Sequence, residues 1–426
     1  MFQCKKYLIV ILSSLLLSCG GSGGGGTDEV IYQQNKFVHE LLLDRYLWYT
    51  EVDPEIDYAN FNSPEETLDF LRYETLDRFS YIADASTFDS LFEDGQYLGY
   101  GFSYYKENDG TVPLKFVYDD SPAGRAGLQR GDMIISINRE LVEHISTTSW
   151  DDVFGPAEEG YPVFLVVQKK NGDRVGINME KAIVNINTVL AYSVIDNGPD
   201  KVGYMAFKSF LGTSDQEFID VFSLFQTEGV NKMVLDLRYN GGGRVSVAQN
   251  LASYMVPTTS STDLFALLKQ NDKHQDLNYS YYFKTMVNEL DLDRVVVITS
   301  GSTASASEMV INGLKPFVDV KTVGNKTYGK PVGMNPVEFD DKVILPITFA
   351  TYNQDGEGEY FNGIPYDCFV RDDLNSAFGD PEEGMLAEAL VVSQNGLCSA
   401  TKSAQKSNNE RPVETSYSLQ AIIGAQ

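Results

Sequence analysis

Histidine is almost absent from this chain of 426 residues, and cysteine is nearly as scarce: three of the first (His39, His144, His274) and four of the second. They form no Cys/His cluster with metal-ligand spacing, which argues against a zinc site. Positive charge is also short, with 33 Lys and Arg against 60 Asp and Glu and a formal charge of −27. So acidic a surface repels phosphate backbones and disfavours nucleic acid as a partner. The apolar run from Tyr7 to Leu17 is broken by Ser13 and Ser14 and soon ended by glycine, too short for a stable transmembrane helix. Apolar side chains, by contrast, are plentiful: 43% of residues are hydrophobic, enough to build cores and to exclude disorder of the whole chain. The length predicts two or three compact units.

The first residues read as a targeting segment. Lys5 and Lys6 form a positive start and the apolar run follows, which makes residues 1–18 a signal peptide. It closes in Leu16-Leu17-Ser18-Cys19, which resembles a bacterial lipobox, in which the cysteine behind the cut carries the lipid. Residues 19–29 would then be the lipidated Cys19 and a flexible tether rich in glycine. The alternative is an ordinary secretory signal with a chance cysteine. The small residue before Cys19 and the glycines after it favour the lipoprotein. The expected location is the bacterial cell envelope, anchored to a membrane by lipid and facing the periplasm. Gly20 stands where an aspartate retains many lipoproteins at the inner membrane, which favours the outer one. In that oxidising compartment Cys368 and Cys398 can form one disulfide.

Residues 30–95 read as helical. Phe37, Leu41, Leu42 and Tyr46 recur at helical spacing, as do Leu68 and Leu71 and then Leu76 and Phe79. Asp53-Pro54 is expected to break the first helix, and Ser63-Pro64 to cap the next. From 96 to 182 short β-rich runs alternate with glycine turns, with strands expected at Leu114–Tyr118, Met133–Ile137 and Val163–Gln168. From 183 to 398 strands alternate with helices, the rhythm of an α/β core. Within it, Val202–Phe207 and Lys232–Leu237 flank a helix over Asp215–Gln226, and Val295–Thr299 is a near-continuous apolar strand. Residues 399–426 are polar and read as a disordered tail.

Three segments carry chemistry. The strand Val295–Thr299 runs into small residues, and a helix begins near Ser305. A serine at such a junction sits beside unpaired N–H groups and the positive helix end, which stabilise an oxyanion in acyl transfer. Taken alone it is more often a simple cap. The strand ending in Asp236 and Arg238 leads to Gly241-Gly242-Gly243, where backbone amides can approach a ligand closely, although a tight turn needs no more than that. Gly324 to Lys330 superficially matches a phosphate-binding loop, but lacks the following Ser or Thr, and Pro331 removes an amide where the helix should start. Lys330, between glycine and proline in an apolar stretch, can be desolvated; that lowers a lysine's pKa and makes it a usable general base.

Together these segments resemble the C-terminal processing peptidases, PDZ-bearing serine peptidases related to the tricorn core. The family's Ser-Ala-Ser-Glu motif falls on Ser305 to Glu308, its Gly-Lys motif on Gly329 and Lys330 at the usual separation, and its Asp-Leu-Arg motif on Asp236 to Gly243. The resemblance implies Ser305 as nucleophile, Lys330 as base, and the amides of Gly242 and Ala306 as oxyanion donors. Many members carry a glutamine four residues after the lysine; here Met334 stands there, leaving Glu308 or Asn335 as third member. Upstream, Gly99-Tyr100-Gly101-Phe102 and the block from Asp120 to Asn138 resemble a PDZ domain, whose glycine loop offers amides to a peptide's terminal carboxylate. Gly363-Ile364-Pro365-Tyr366-Asp367 resembles another family segment, expected to be structural. Asp355 to Glu359 has a faint calcium-loop look without the terminal glutamate, and reads as a solvated acidic turn.

The implied architecture is multidomain α+β: a helical N-terminal region, a β-rich PDZ domain and an α/β catalytic domain with a ClpP/crotonase-like β-β-α superhelix core. The implied activity is a lipid-anchored serine endopeptidase without metal or cofactor, cutting protein or peptide substrates whose exposed apolar C-termini the PDZ domain holds. Two rivals share the fold: a catalytically silent protein binding apolar ligands, and a PDZ-based adaptor tethered at the membrane. Both Ser305 and Lys330 are present, which disfavours the first; the second predicts that Ser305 is dispensable.

Overall fold

The computed structural model describes residues 26–145, 152–257, 260 and 262–399. The signal segment, Cys19 and the tail from 400 onward lie outside the described residues. No helix among those described is long and apolar enough to cross a membrane.

A six-stranded sheet takes its strands in chain order: Val189–Asn197, Asp200–Phe207, Lys232–Asp236, Arg294–Thr299, Asp319–Gly324 and Cys368–Phe369. The first two form an antiparallel hairpin and the others pair in parallel. Parallel strands need cover on both faces, and the uninterrupted apolar run Val295–Ile298 follows from that. Val295 and Val297 pack on the helices Ser214–Glu228, Val245–Met255 and Ala306–Leu314. Val296 and Ile298 pack on the helix Gly384–Asn395. A four-stranded sheet (Tyr279–Tyr282, Leu264–Gln270, Ile347–Tyr352, Val332–Met334) joins the first of these cores through Phe265 and Phe349.

The β-rich module has six strands, Phe102–Tyr104, Val112–Val117, Met133–Ile137, Glu140–Leu141, Pro162–Gln168 and Arg174–Glu180, around its own core of Phe102, Leu114, Ile134 and Leu165. The expected short helix is Pro122–Arg125, capped by Ser121 Oγ, which accepts from Gly124 N at 3.1 Å. Gln96–Gly99 and Ala182–Asn185 pair antiparallel where the chain enters and leaves.

The N-terminal region departs from expectation in three places. Its first helix spans Gly26–Arg45, so the end of the expected tether is already helical. That helix ends at Arg45, well before Asp53-Pro54, because the chain turns inward: Leu47 N donates to Ile347 O at 2.8 Å and the Tyr46 hydroxyl to Asp77 Oδ2 at 2.6 Å. Tertiary partners outweigh helix propensity there. Leu76 and Phe79 are not helical either. Asp77 Oδ1 accepts from Phe79 N and Ser80 N, both at 2.9 Å, and bends the segment into a turn. The strand that follows, Tyr81–Asp84, pairs antiparallel with Lys342–Leu345, so this region is stitched into the main body and shares its core with Leu211, Ala304, Tyr328 and Ile347.

Candidate active site

Ser305 caps the helix Ala306–Leu314 with φ +57°, a left-handed conformation that costs a non-glycine residue about 1–3 kcal/mol. Such a sharp strand-to-helix turn presents the side chain outward, and Ser305 is partly exposed while its neighbours Ala304 and Ala306 are buried. The strain is held from behind. Glu308 Oε2 accepts from Ser305 N at 3.0 Å, and Gly242 packs so closely that a Cβ there would lie 2.8 Å from Ser305 Cβ and 3.1 Å from Ala306 N.

Lys330 lies on the loop after Gly324, with no helix following: Val332–Met334 is a strand, consistent with rejecting a phosphate-binding loop. Its side chain is buried, and burial drives its pKa well below the usual lysine value against the raising charges of Asp77 and Glu308. Lys330 and Ser305 line one cavity of about 330 Å³, with apolar walls that include Phe88, Phe92, Met309, Met334 and Phe349. Arg244 and Glu93 stand at the same cavity, paired at 2.5 Å.

The candidate third members occupy different places. Met334 does contact the lysine, its Sδ accepting from Nζ at 3.5 Å. Asn335 donates to Thr348 Oγ1 at 2.8 Å. Glu308 is fully buried and braces both loops: it accepts from Thr327 Oγ1 at 2.5 Å, from Gly329 N and Lys330 N at 2.7 Å, and from Ser305 N. Burial nevertheless holds its carboxyl above the ordinary value. Gly363 to Asp367 supports the same loop, with Ile364 N donating to Thr327 Oγ1 at 2.6 Å.

The expected oxyanion donor Gly242 packs against Ser305 and Ala306 with its amide already bonded. In this conformation its N–H donates to Asn240 Oδ1 at 2.9 Å, and Gly243, not Gly242, lines the cavity. Sequence gave no sign of this, because any of three consecutive glycines can supply the amide. Ala306 remains at the helix start, where amides have no intrahelical partner.

Gly99, Tyr100, Gly101 and Phe102 are all buried. The Tyr100 hydroxyl donates to Phe154 O at 3.2 Å, and a Cβ on Gly101 (φ +88°) would fall 1.9 Å from Ser121 Cβ. These side chains build the module's core, so only backbone is left to meet a ligand. Phe102–Tyr104 is an outer strand, paired on one side only among the described residues. Cys368 and Cys398 are bonded, with Cα atoms 5.6 Å apart. His39 is structural, its Nε2 2.7 Å from Asp53 O, and no histidine lines the cavity.

Two features escaped the sequence reading. One is the turn Asp77–Ser80 beside Lys330. The other is a buried charge network under the glycine loop: Arg238 bonds Asp236, Asp372 and Glu383, while Arg130 of the β-rich module reaches Asp372 at 2.5 Å and the Tyr239 hydroxyl at 2.6 Å. Asp236 and Arg238 stand in the local motif, but Arg130, Asp372 and Glu383 come from distant positions that no local spacing marks.

Residues 201–370 match the model of peptidase family S41, residues 33–81 the peptidase S41 N-terminal domain, and residues 116–169 a PDZ domain. The chain belongs to peptidase family S41. The S41 match takes in Gly242, Ser305, Glu308 and Lys330. S41 relatives include a "Probable CtpA-like serine protease" of Staphylococcus aureus (strain N315), 29% identical over 282 residues, which cover 65% of this chain and 53% of that one. The same name is given to a protein of Staphylococcus epidermidis (strain ATCC 12228 / FDA PCI 1200), 26% identical over 278 residues, 63% of this chain and 52% of that one. The chain thus spans about half the length of the curated relatives it matches. A crystal structure described as "Putative S41 protease from Bacteroides fragilis NCTC 9343" superposes with TM-score 0.70 at 28% identity, covering 84% of this chain and 97% of the other. The photosystem II D1 C-terminal processing protease shares the fold, with TM-score 0.51 at 19% identity over 80% and 93% of the two chains.

Proposed function

We propose that this S41 chain is a serine endopeptidase working through an acyl-enzyme. Ser305 Oγ attacks the substrate carbonyl carbon as Lys330 Nζ takes its proton. The C–N bond then breaks, the proton passes to the leaving amine, and water hydrolyses the ester by the reverse route. The observation that carries this reading is a single cavity shared by a strained, accessible serine and a buried lysine held below its usual pKa. A neutral lysine can accept a proton near neutral pH. The oxyanion falls to the Ala306 amide together with the glycine loop, whose Gly242 N–H becomes a donor once it leaves Asn240.

The apolar cavity walls suit apolar substrate side chains, and the outer strand Phe102–Tyr104 suits an extended C-terminus added edge to edge. The lipobox at Cys19 and the bonded Cys368–Cys398 pair support a lipid-anchored protein facing the periplasm, and Gly20 favours the outer membrane. The test is digestion of an unfolded protein with an apolar C-terminus by the purified protein and by Ser305→Ala and Lys330→Ala. Cleavage by the first alone is expected. Cleavage that survives either substitution refutes the assignment, and absence of cleavage by all three folded proteins refutes the peptidase.

A further inference from the structure

The turn from Asp77 to Ser80 belongs to the N-terminal region yet lies against the base side of the cavity. Arg78 Nη2 reaches Tyr328 O at 2.8 Å, Gly329 O at 3.3 Å and Phe361 O at 3.4 Å, so one guanidinium gathers the carbonyls of the two residues preceding Lys330 and one from the neighbouring loop. It stacks on the rings of Phe79 and Tyr328 at 4.8 and 4.9 Å. The Phe79 ring lies 5.6 Å from Lys330 Nζ. Behind it, the Asp77 carboxylate is buried and takes four donors: Phe79 N, Ser80 N, the Ser80 hydroxyl and the Tyr46 hydroxyl. Ser80 Oγ also accepts from Ile347 N at 3.0 Å, which pins the turn to the sheet next to the lysine loop. Four fixed donors leave this buried carboxylate fully hydrogen-bonded and held in one orientation.

We propose that this turn completes the site: Arg78 fixes the backbone carrying Lys330, and Asp77 is a positioning residue whose fixed negative charge stabilises the ammonium that Lys330 becomes during acylation. The proposal rests on the Ser-Lys reading above. Its logic is that burial alone makes a lysine too weak a base to pull a serine proton, and a counter-charge restores basicity. Of the charges acting on Lys330, Asp77 is the stronger and Glu308 the weaker. Met334, whose Sδ accepts from Lys330 Nζ, carries no charge and cannot take that part. The other charged or titratable groups around Lys330 include Arg78, Glu308, Tyr328 in its own loop, and Tyr81 and the Arg244–Glu93 pair at the cavity.

The test is the pH dependence of Ser305 labelling by a fluorophosphonate, measured on the whole purified protein, on Asp77→Asn and on Arg78→Lys. Asparagine matches aspartate in size without the charge. Its labelling profile is expected to move its acid limb to lower pH by about one unit, the effect of one nearby charge, with a plateau rate roughly tenfold lower. Arg78→Lys keeps the charge but not the fork, so its limb stays in place while the plateau falls on the order of tenfold or more. An unmoved limb in folded Asp77→Asn, judged by circular dichroism, overturns the role of Asp77 while the labelled wild type upholds the nucleophile. If Asp77→Asn does not fold, an undiminished plateau in Arg78→Lys overturns the proposal. A wild type that does not label at all overturns the Ser-Lys reading, and this inference with it.

Discussion

Replacing Arg238 with methionine removes the cation at the centre of the buried network, and the partners that remain determine the cost. Asp236 keeps the Tyr204 hydroxyl at 2.8 Å and a backbone amide at 3.2 Å. Asp372 keeps Arg130 at 2.5 Å. Glu383, 1% exposed, loses both of its bonds to the guanidinium and is left with Leu386 N at 2.9 Å and Arg130 at 3.9 Å. Breaking a buried pair by removing one partner costs about 3–5 kcal/mol. In the native protein burial pushes the Glu383 carboxyl up, but Arg238 pulls it further down, to a net position below the ordinary value. That contribution is present above the unfolded pKa and lost as pH falls through the folded one. In Arg238→Met burial acts with little opposition and the carboxyl rises, so the variant gains stability relative to wild type as pH falls from neutral. Urea denaturation followed by circular dichroism measures both effects. The expected result is a penalty of about 3–5 kcal/mol near pH 8 that narrows towards pH 5. A penalty below about 1 kcal/mol, or one that does not change with pH, refutes the reasoning.

Gly242→Ala is expected to fold but to lose about 10²–10³-fold in cleavage rate, because its methyl meets Ser305 Cβ at 2.8 Å and φ is +106°; steady-state kinetics check this. Lys330→Met is expected to abolish cleavage yet raise stability at neutral pH. A lysine whose folded pKa is depressed destabilises the fold below its unfolded pKa, so wild type gains stability on going alkaline and the variant does not; denaturation at two pH values reads the difference. Cys398→Ser removes a bridge between residues 30 apart and is expected to cost about 3–4 kcal/mol, measured under oxidising conditions, with no further loss on adding reductant.

The α/β core was legible because its signals are local. The apolar run Val295–Ile298, the small-residue junction at Ser305 and the glycines after Asn240 each carry their geometry in a few consecutive residues. The PDZ domain was legible for the same reason. What escaped is non-local. Leu76 and Phe79 have helical spacing, but Asp77 spends its carboxylate on the amides that a helix would use. The helix ending at Arg45 stops because Leu47 finds Ile347 across the fold. Asn240 claims the Gly242 amide, and no spacing rule reveals which of three glycines is engaged. Arg130 and Asp372 meet from positions 242 residues apart.

The stitch between Tyr81–Asp84 and Lys342–Leu345, with Arg78 reaching Tyr328 across 250 positions, joins an early part of the chain to a late one. Loop closure over such a span comes late in folding. Until the strand Lys342–Leu345 is made, the serine junction can exist without this stitch behind the loop that carries Lys330. The connectivity therefore acts as a safety catch: the two sides of the cavity are locked together only once the chain through Leu345 has been made and folded.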